Sequence, residues 1–335
     1  MKKIKVGILR CDTHAAWYAT LMAAHDPLRF SQPLADPDAR EESWQSGGVH
    51  YFHYSHYSDP KRLVAPFVGG SEISRVWDPR PGVAENFASL FIQKPFVCER
   101  PEEVSDGVDL IFLADCNGEG VDHYRLAAPG LKKGIPTFID KPLADTLKQA
   151  RRIEALASKH EAPVMSISLL QVSELMRAFR SRLPEIGRVD SGVVTGFSLH
   201  PAGLIHSICA VQGIFGSGIE EVCVSETPGG PLIHLGYGER TDRPSRGVVI
   251  RCGEADYRWT AFYASAHGFE GAIQAAIYSD FRSQGAAEVI SLITEMVKSG
   301  KISPLHHEMI QAVAVMDAVR MAGRSGRPRR VASID

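Results

Sequence analysis

The chain has 335 residues, of which 44% are hydrophobic and 23% charged, with 37 Lys and Arg set against 39 Asp and Glu. This balance excludes a disordered chain, whose mark is low hydrophobicity with a large net charge, and a formal charge of -2 leaves no broad basic field for a nucleic-acid backbone. No apolar run approaches the roughly 20 residues of a membrane span, and the start MKKIKVGIL is too short and lacks the small-residue cleavage site of a signal peptide, so a cytoplasmic protein is expected.

The length predicts two domains. Lys3–Leu9 is short, β-branched and mostly apolar, as a buried parallel strand should be. The turn Arg10-Cys11-Asp12-Thr13 then leads into a helix over His14–Ala24, with Asp12 or Thr13 as N-cap. Strand, tight turn and helix in this order open a dinucleotide-binding βαβ unit. Residues 26–70 read as a long insertion rich in Pro, Gly, aromatic and charged residues, with His50, His53 and His56 spaced among tyrosines. Loops of that length tend to be functional or to serve assembly. Glu72–Trp77 is the second strand, ending in Asp78-Pro79, and Val83–Leu90 is its helix. Val108–Ala114 is the strongest strand and ends in the loop Asp115-Cys116-Asn117-Gly118. A helix over His123–Lys133 closed by Gly134, a strand over Pro136–Ile139, a helix over Thr146–His160 and a strand over Val164–Ser168 follow. The alternation predicts a Rossmann-like, doubly wound parallel sheet over residues 1–145, with the crossover helix 146–160 and strand 164–168 packing against it.

After Ser173 the texture changes. A helix over Glu174–Leu183 is followed by strand-like runs at Gly192–Leu199, Glu220–Ser225, Leu232–Gly236, Gly247–Cys252 and Tyr257–Tyr263, interrupted by a helix over Ala202–Phe215. Two terminal helices, Ala286–Ser299 and Leu305–Gly323, complete residues 146–335. This is the pattern of an α+β domain whose largely antiparallel sheet is covered by helices on one face. Its other face has to be hidden, so a homodimer or homotetramer is expected. The six cysteines are scattered without a CxxC pair and read as reduced, small apolar residues.

From Val108 to Pro142, VDLIFLADCN…DHY…GLKKGIPTFIDKP, the chain resembles the Gfo/Idh/MocA family of NAD(P)-dependent sugar and polyol dehydrogenases. The matching features are a strand ending in Asp115-Cys116-Asn117, then His123, a helix, Gly134, a short strand and Asp140-Lys141-Pro142. Two features depart from the family pattern. Gly7 is present, but Arg10 and Asp12 stand where the next two glycines of a Gly-x-x-Gly-x-Gly-like turn belong. An aspartate there repels phosphate, by about 1 kcal/mol at 4 Å in water and roughly 4 at an effective dielectric of 20, unless Arg10 neutralises it. In the second domain His206 matches the histidine of Asp-x-Gly-x-His, with Ala202 and Leu204 in place of the Asp and Gly and Gly216 closing the same helix.

The resemblance implies hydride transfer between nicotinamide and a hydroxyl carbon of a sugar or polyol. NAD or NADP would be the cofactor, with NAD preferred because Asp78 ends strand two, where an acid binds the ribose hydroxyls; the nearby Arg80 could instead accept a 2′-phosphate. Gly7, Arg10, Asp12, Asp78, Asp115, Asn117 and Asp140 would line the cofactor crevice, and His123 and His200 would face substrate. Lys141 and His206 are the catalytic candidates, Lys141 at a strand's carboxyl end and His206 as the group that removes the hydroxyl proton. The plainer readings are a lysine before a turn-forming proline and a satisfied helix histidine. Asp12 and His14 would suit a metal only with further ligands; otherwise Asp12 caps the helix and His14 is a first-turn residue, and no metal is expected. A second functional reading is a non-redox descendant (a lyase, isomerase or binding protein) that has lost ordinary dinucleotide binding.

Overall fold

The computed structural model describes residues 2–31, 54, 67–196, 199–252, 262–278 and 284–334. Short apolar runs form a six-stranded sheet from β1 (Ile4–Leu9), β2 (Ser71–Trp77), β3 (Phe96–Val97), β4 (Leu110–Leu113), β5 (Thr137–Ile139) and β6 (Val164–Met165). Every pairing is parallel and the order is β3-β2-β1-β4-β5-β6. Strand addition reverses direction between β1 and β4, and the crevice outside their carboxyl ends is where such sheets take ligands.

Successive residues of each strand face opposite layers. Ile8, Leu110, Phe112 and Phe138 share one core with α1 (Thr13–Met22), helix Pro81–Ala88 and helix Gln284–Ser299. Leu9, Ile111, Leu113 and Ile139 share the other with helices His123–Lys132 and Leu147–Lys159. The Phe112 and Phe138 rings stack with centroids 5.0 Å apart, and Tyr18 of α1 tilts onto Phe112 at 5.4 Å. The first layer is completed from far along the chain: Val289, Ile290, Ile293 and Met296 are fully buried against it.

The second sheet comprises β7 (Val189–Gly196), β8 (Glu221–Ser225), β9 (Leu232–Gly236), β10 (Val248–Cys252), β11 (Phe262–Gly268), β12 (Gly271–Tyr278) and β13 (Arg329–Arg330). They lie in the order β12-β11-β7-β10-β9-β8-β13. Only β7 and β10 pair in parallel, so the sheet is mixed and mostly antiparallel, as the sequence predicts. Val194, Val222, Ile233, Leu235, Val248 and Ile250 pack inward against helices Pro201–Phe215 and Leu305–Ser325. The opposite face carries the row Cys223, His234, Val249, Val193, Ser265 and Gln274 in direct register, each half-buried or exposed.

The structure differs from the sequence reading in a few places. The strand expected over Val164–Ser168 stops at Met165. Ser168 accepts a hydrogen bond from Leu170 N, and its own N–H donates to the Gln171 side chain, which turns the chain into a short 3₁₀ segment, Leu169–Val172. Helix Glu174–Ser181 ends two residues early and passes into a 3₁₀ turn over Leu183–Ile186 that carries Pro184. β7 starts at Val189, three residues before the expected start. β12 is an added strand, formed as a hairpin with β11 across Phe269-Glu270. The run Tyr257–Tyr263 falls mostly outside the described residues. So does most of the insertion, His50, His53 and His56 included; of its described part, Tyr54 is buried with its hydroxyl 2.6 Å from His25 Nε2. All six cysteines are free.

Gly7 sits in β1 where a Cβ would lie 2.5 Å from Val104 O and 2.8 Å from Val104 Cγ1. Its first requirement is therefore the close approach of the 3₁₀ segment Pro101–Ser105. Gly7→Ala should lower stability by about 1–3 kcal/mol through overpacking, read as a lower denaturant midpoint at unchanged slope.

Candidate active site

The turn after β1 bends through Arg10, whose φ of 66° lies in the left-handed region that favours glycine. Holding an arginine there costs roughly 1–2 kcal/mol, offset by what its side chain does. The guanidinium Nη1 lies 2.7 Å from Asp115 Oδ1, and Nη2 lies 2.5 Å from Asp122 Oδ1. Burial opposes the Arg10 charge, but these carboxylates outweigh it and raise the group above its ordinary value.

Asp12 is the N-cap of α1. Its Oδ1 accepts from Ala15 N at 2.9 Å and its Oδ2 from Cys116 N at 2.6 Å, so it ties the first turn to the loop after β4. Burial lifts its carboxyl to about 6, against the pull of the neighbouring His14 charge and of both backbone donors. Asp78, at the end of β2, is buried and accepts from Cys11 N at 2.9 Å and from Arg80 N, also at 2.9 Å.

Asp140, at the end of β5 and 1% exposed, joins the remaining pieces. Its Oδ1 accepts from Lys141 N at 2.8 Å, and its Oδ2 from Asp115 N at 3.2 Å. The same Oδ2 lies 2.5 Å from His14 Nδ1. Burial works against charge on both partners of that contact. The Asp140 carboxylate nevertheless holds His14 well above its ordinary value, helped by Cys116, and His14 with Lys141 holds Asp140 well below the usual carboxylate range.

Lys141 is 2% exposed. Its ammonium donates to Cys116 O at 2.8 Å and to Ala202 O of helix Pro201–Phe215 at 3.4 Å, bridging the two sheets' domains. An ammonium has three protons, so one remains for a ligand. His206, on the same helix, is half-buried, and its Nδ1 lies 2.7 Å from Ser168 Oγ. Burial, together with the Lys141 and His14 charges, pushes it well below its ordinary value. It is therefore neutral near pH 7, and in the tautomer that donates Nδ1–H to Ser168 its Nε2 is an acceptor.

Lys141, His206, Asp12, Asp115 and Asp140 thus converge on the crevice, whereas His123 stands behind it. His123 is fully buried, with Nε2 3.0 Å from Asp115 Oδ2 and Nδ1 3.1 Å from Leu143 O. Burial disfavours charge on Asp115, yet the His123 hydrogen bond and Arg10 hold its carboxyl below its ordinary value. His200 lies at the crevice edge, half exposed, as N-cap of helix Pro201–Phe215 and 3.5 Å from Glu119 Oε1. Asn117 is exposed on the loop after β4, beside the Cys116 thiol at 3.7 Å. Sequence reasoning missed the contacts His14–Asp140 and Ser168–His206, which span 126 and 38 residues and carry no local signal. Among the described residues no group of three or more His, Cys, Asp or Glu side chains is arranged to hold a metal ion, and no helix is long and apolar enough to cross a membrane.

The Gfo/Idh/MocA family model, described as "Oxidoreductase family, NAD-binding Rossmann fold", matches residues 46–168, and that stretch is similar to those oxidoreductases. No curated protein matches the chain. Its fold is similar to that of scyllo-inositol dehydrogenase from Lactobacillus casei, solved with bound NAD(H) and scyllo-inositol, at 12% identity and a TM-score of 0.71, covering 99% of this chain and 100% of that one. It is similar to myo-inositol dehydrogenase from the same organism, solved with NAD(H) and myo-inositol, at 13% identity and a TM-score of 0.70, covering 99% and 98%. An oxidoreductase from Agrobacterium radiobacter in complex with NAD+, L-tartaric acid and magnesium is also similar, at 12% identity and a TM-score of 0.69, covering 98% of each chain.

The residues present suit the dinucleotide that this fold implies at both of its ends. Asp78 and Arg80 stand just past the carboxyl end of β2, and Asp140 and Lys141 just past that of β5. At the middle, the N-terminus of α1 is a favourable seat for a pyrophosphate, with the Asp12 carboxyl in it. The set fits once Asp12 is neutral, which its value of about 6 puts within reach.

An acid raised from 3.8 to about 6 on folding costs nothing below its unfolded value and its full penalty above its folded one. At roughly 1.4 kcal/mol per pH unit this amounts to about 3 kcal/mol. Wild type should therefore lose about that much stability relative to Asp12→Asn as the pH rises from 4 to 7.5, measured by denaturant unfolding of both proteins across that range.

Proposed function

We propose that the protein is an NAD(P)-dependent oxidoreductase acting on a hydroxyl-bearing carbon of a sugar, polyol or derivative. The observation that carries this reading is the buried Lys141 ammonium, held between Cys116 O and Ala202 O beside the neutral His206. The nicotinamide, when bound, supplies the hydride acceptor or donor. Lys141 Nζ offers its remaining proton to the substrate oxygen and orients it. His206 Nε2 takes the hydroxyl proton as the carbon is oxidised and returns it in reverse. The family match and inositol-binding neighbours support a polyhydroxylated substrate. The second reading, a descendant without dinucleotide binding, draws on the Asp12 carboxyl at the pyrophosphate seat.

Calorimetric titration with NAD and NADP separates the two. Wild type should bind dinucleotide more tightly at pH 5.5 than at 7.5, because neutral Asp12 no longer repels phosphate. Asp12→Gly should lose that difference and bind about five- to thirtyfold tighter at pH 7.5, equivalent to about 1–2 kcal/mol. Wild type that binds neither nucleotide at either pH would leave the non-redox reading standing.

With a substrate in hand, Lys141→Ala should keep the fold and cut turnover by at least about a hundredfold, the scale of a proton-handling group. Near-normal turnover would remove Lys141 from the chemistry.

The open face of the second sheet supports assembly into a homodimer or homotetramer, with β7–β12 of one copy covered by another. Light scattering at micromolar protein should give a multiple of the chain mass, and a monomer mass would rule this out.

A further inference from the structure

We propose that Ser168 is a positioning residue that holds His206 in the tautomer with its proton on Nδ1, and so frees Nε2 to take the substrate's hydroxyl proton. Ser168 is fully buried, and its Oγ lies 2.7 Å from His206 Nδ1. The serine is itself fixed. Its Oγ accepts from Leu170 N at 3.2 Å, its N–H donates to Gln171 Oε1 at 2.8 Å, and the Gln171 amide donates to Leu305 O at 3.1 Å. The 3₁₀ turn beyond β6 thus presents one oxygen at a set point, and helix Leu305–Ser325 braces that turn. Among the described residues His206 has no other hydrogen-bond partner, and Ala202, one turn before it on the same helix, has no polar side chain to offer.

Which nitrogen of an imidazole carries the proton is set by the hydrogen bonds the ring makes. A hydroxyl oxygen has two lone pairs; Leu170 N–H takes one and His206 Nδ1–H takes the second. The Lys141 ammonium favours the same tautomer. It reaches Ala202 O at 3.4 Å, and Ala202 and His206, four residues apart, share a helix face. With Nδ1 turned to Ser168, Nε2 is the nitrogen left to meet that charge, and a positive charge favours a lone pair over an N–H. The use made of Nε2 rests on the oxidoreductase reading above, whereas the tautomer itself needs no substrate. During oxidation the hydroxyl O–H bond breaks and its proton goes to the Nε2 lone pair, while the hydride leaves the carbon for the nicotinamide. The ring then carries both protons and one positive charge, with Nδ1–H still on Ser168, and the reverse reaction returns the Nε2 proton to the oxygen. A ring with its proton already on Nε2 could take none there.

Nitrogen-15 spectra of histidine-labelled protein at pH 7.5 read the tautomer directly, because a ring nitrogen bearing a proton resonates far upfield of a bare one. The His206 signals are those missing from His206→Gln. Wild type should show a protonated Nδ1 and a bare Nε2 at this position. Ser168→Ala should move the proton to Nε2 in most molecules. Ser168→Cys, similar in size but a poor acceptor, should do the same and stands in if the alanine variant fails to fold. A wild-type ring protonated on Nε2 overturns the proposal, and so does a proton that stays on Nδ1 in either folded variant. With an oxidisable polyol, the folded variant should lose at least about tenfold in kcat, as when a histidine's tautomer is no longer fixed, with KM little changed. An unchanged kcat alongside a shifted tautomer overturns the role in positioning. A wild type that turns over no polyol but shows the Nδ1–H ring would overturn the reaction and support the tautomer.

Discussion

The buried carboxylate of Asp140 holds the crevice together. It takes the backbone amides of Lys141 and Asp115 and the ring of His14, so one side chain at the end of β5 fixes the end of β4 and the first turn of α1. A charge removed from water is expensive unless it is paired and hydrogen-bonded, and the loss of one partner of such a set costs several kcal/mol. The two oxygens of the carboxylate meet that demand here through donors from the loops after β4 and β5 and from the first turn of α1. The orientation of Lys141 follows directly, because its amide is bound to Asp140 while its ammonium reaches Cys116 and helix Pro201–Phe215.

Around that centre, carboxylates do work that glycines do elsewhere in such turns. Backbone freedom at a glycine lets a phosphate approach the amides directly. Here Arg10 adopts the left-handed turn while braced by Asp115 and Asp122, and Asp12 spans the gap between α1 and the loop after β4. The turn is held from within before any ligand arrives, and its electrostatics depend on the protonation of one buried acid.

Much of the fold was legible in the sequence because it rests on local periodicity. KIKVGIL and VDLIFLA are unmistakable buried strands, and the helix cap was narrowed to Asp12 or Thr13, of which the structure uses Asp12. The site was legible only in part. Lys141 and Asp140 stood out from their position at a strand's end and His206 from the resemblance, but what they touch depends on pairings that no local signal encodes. His14 looked like an ordinary first-turn residue until the sheet brought it to Asp140. His123 looked like a residue facing substrate, yet burial and two hydrogen bonds turn it toward Asp115 and Leu143. Strand Gly271–Tyr278 escaped notice because its buried Ile273 and Ile277 stand among Ala272, Ala275 and Ala276, which blur the alternation.

Helix Gln284–Ser299 buries Val289, Ile290, Ile293 and Met296 in the layer that also holds β1 and α1. The first domain is thus discontinuous in sequence, which has a consequence for its birth on the ribosome. At about 5–20 residues per second, the helix that closes its core is made tens of seconds after the strand it covers. During that interval one apolar layer of the parallel sheet waits in an incomplete state, and six of the second sheet's strands, β7 to β12, are synthesised before the first domain can finish folding.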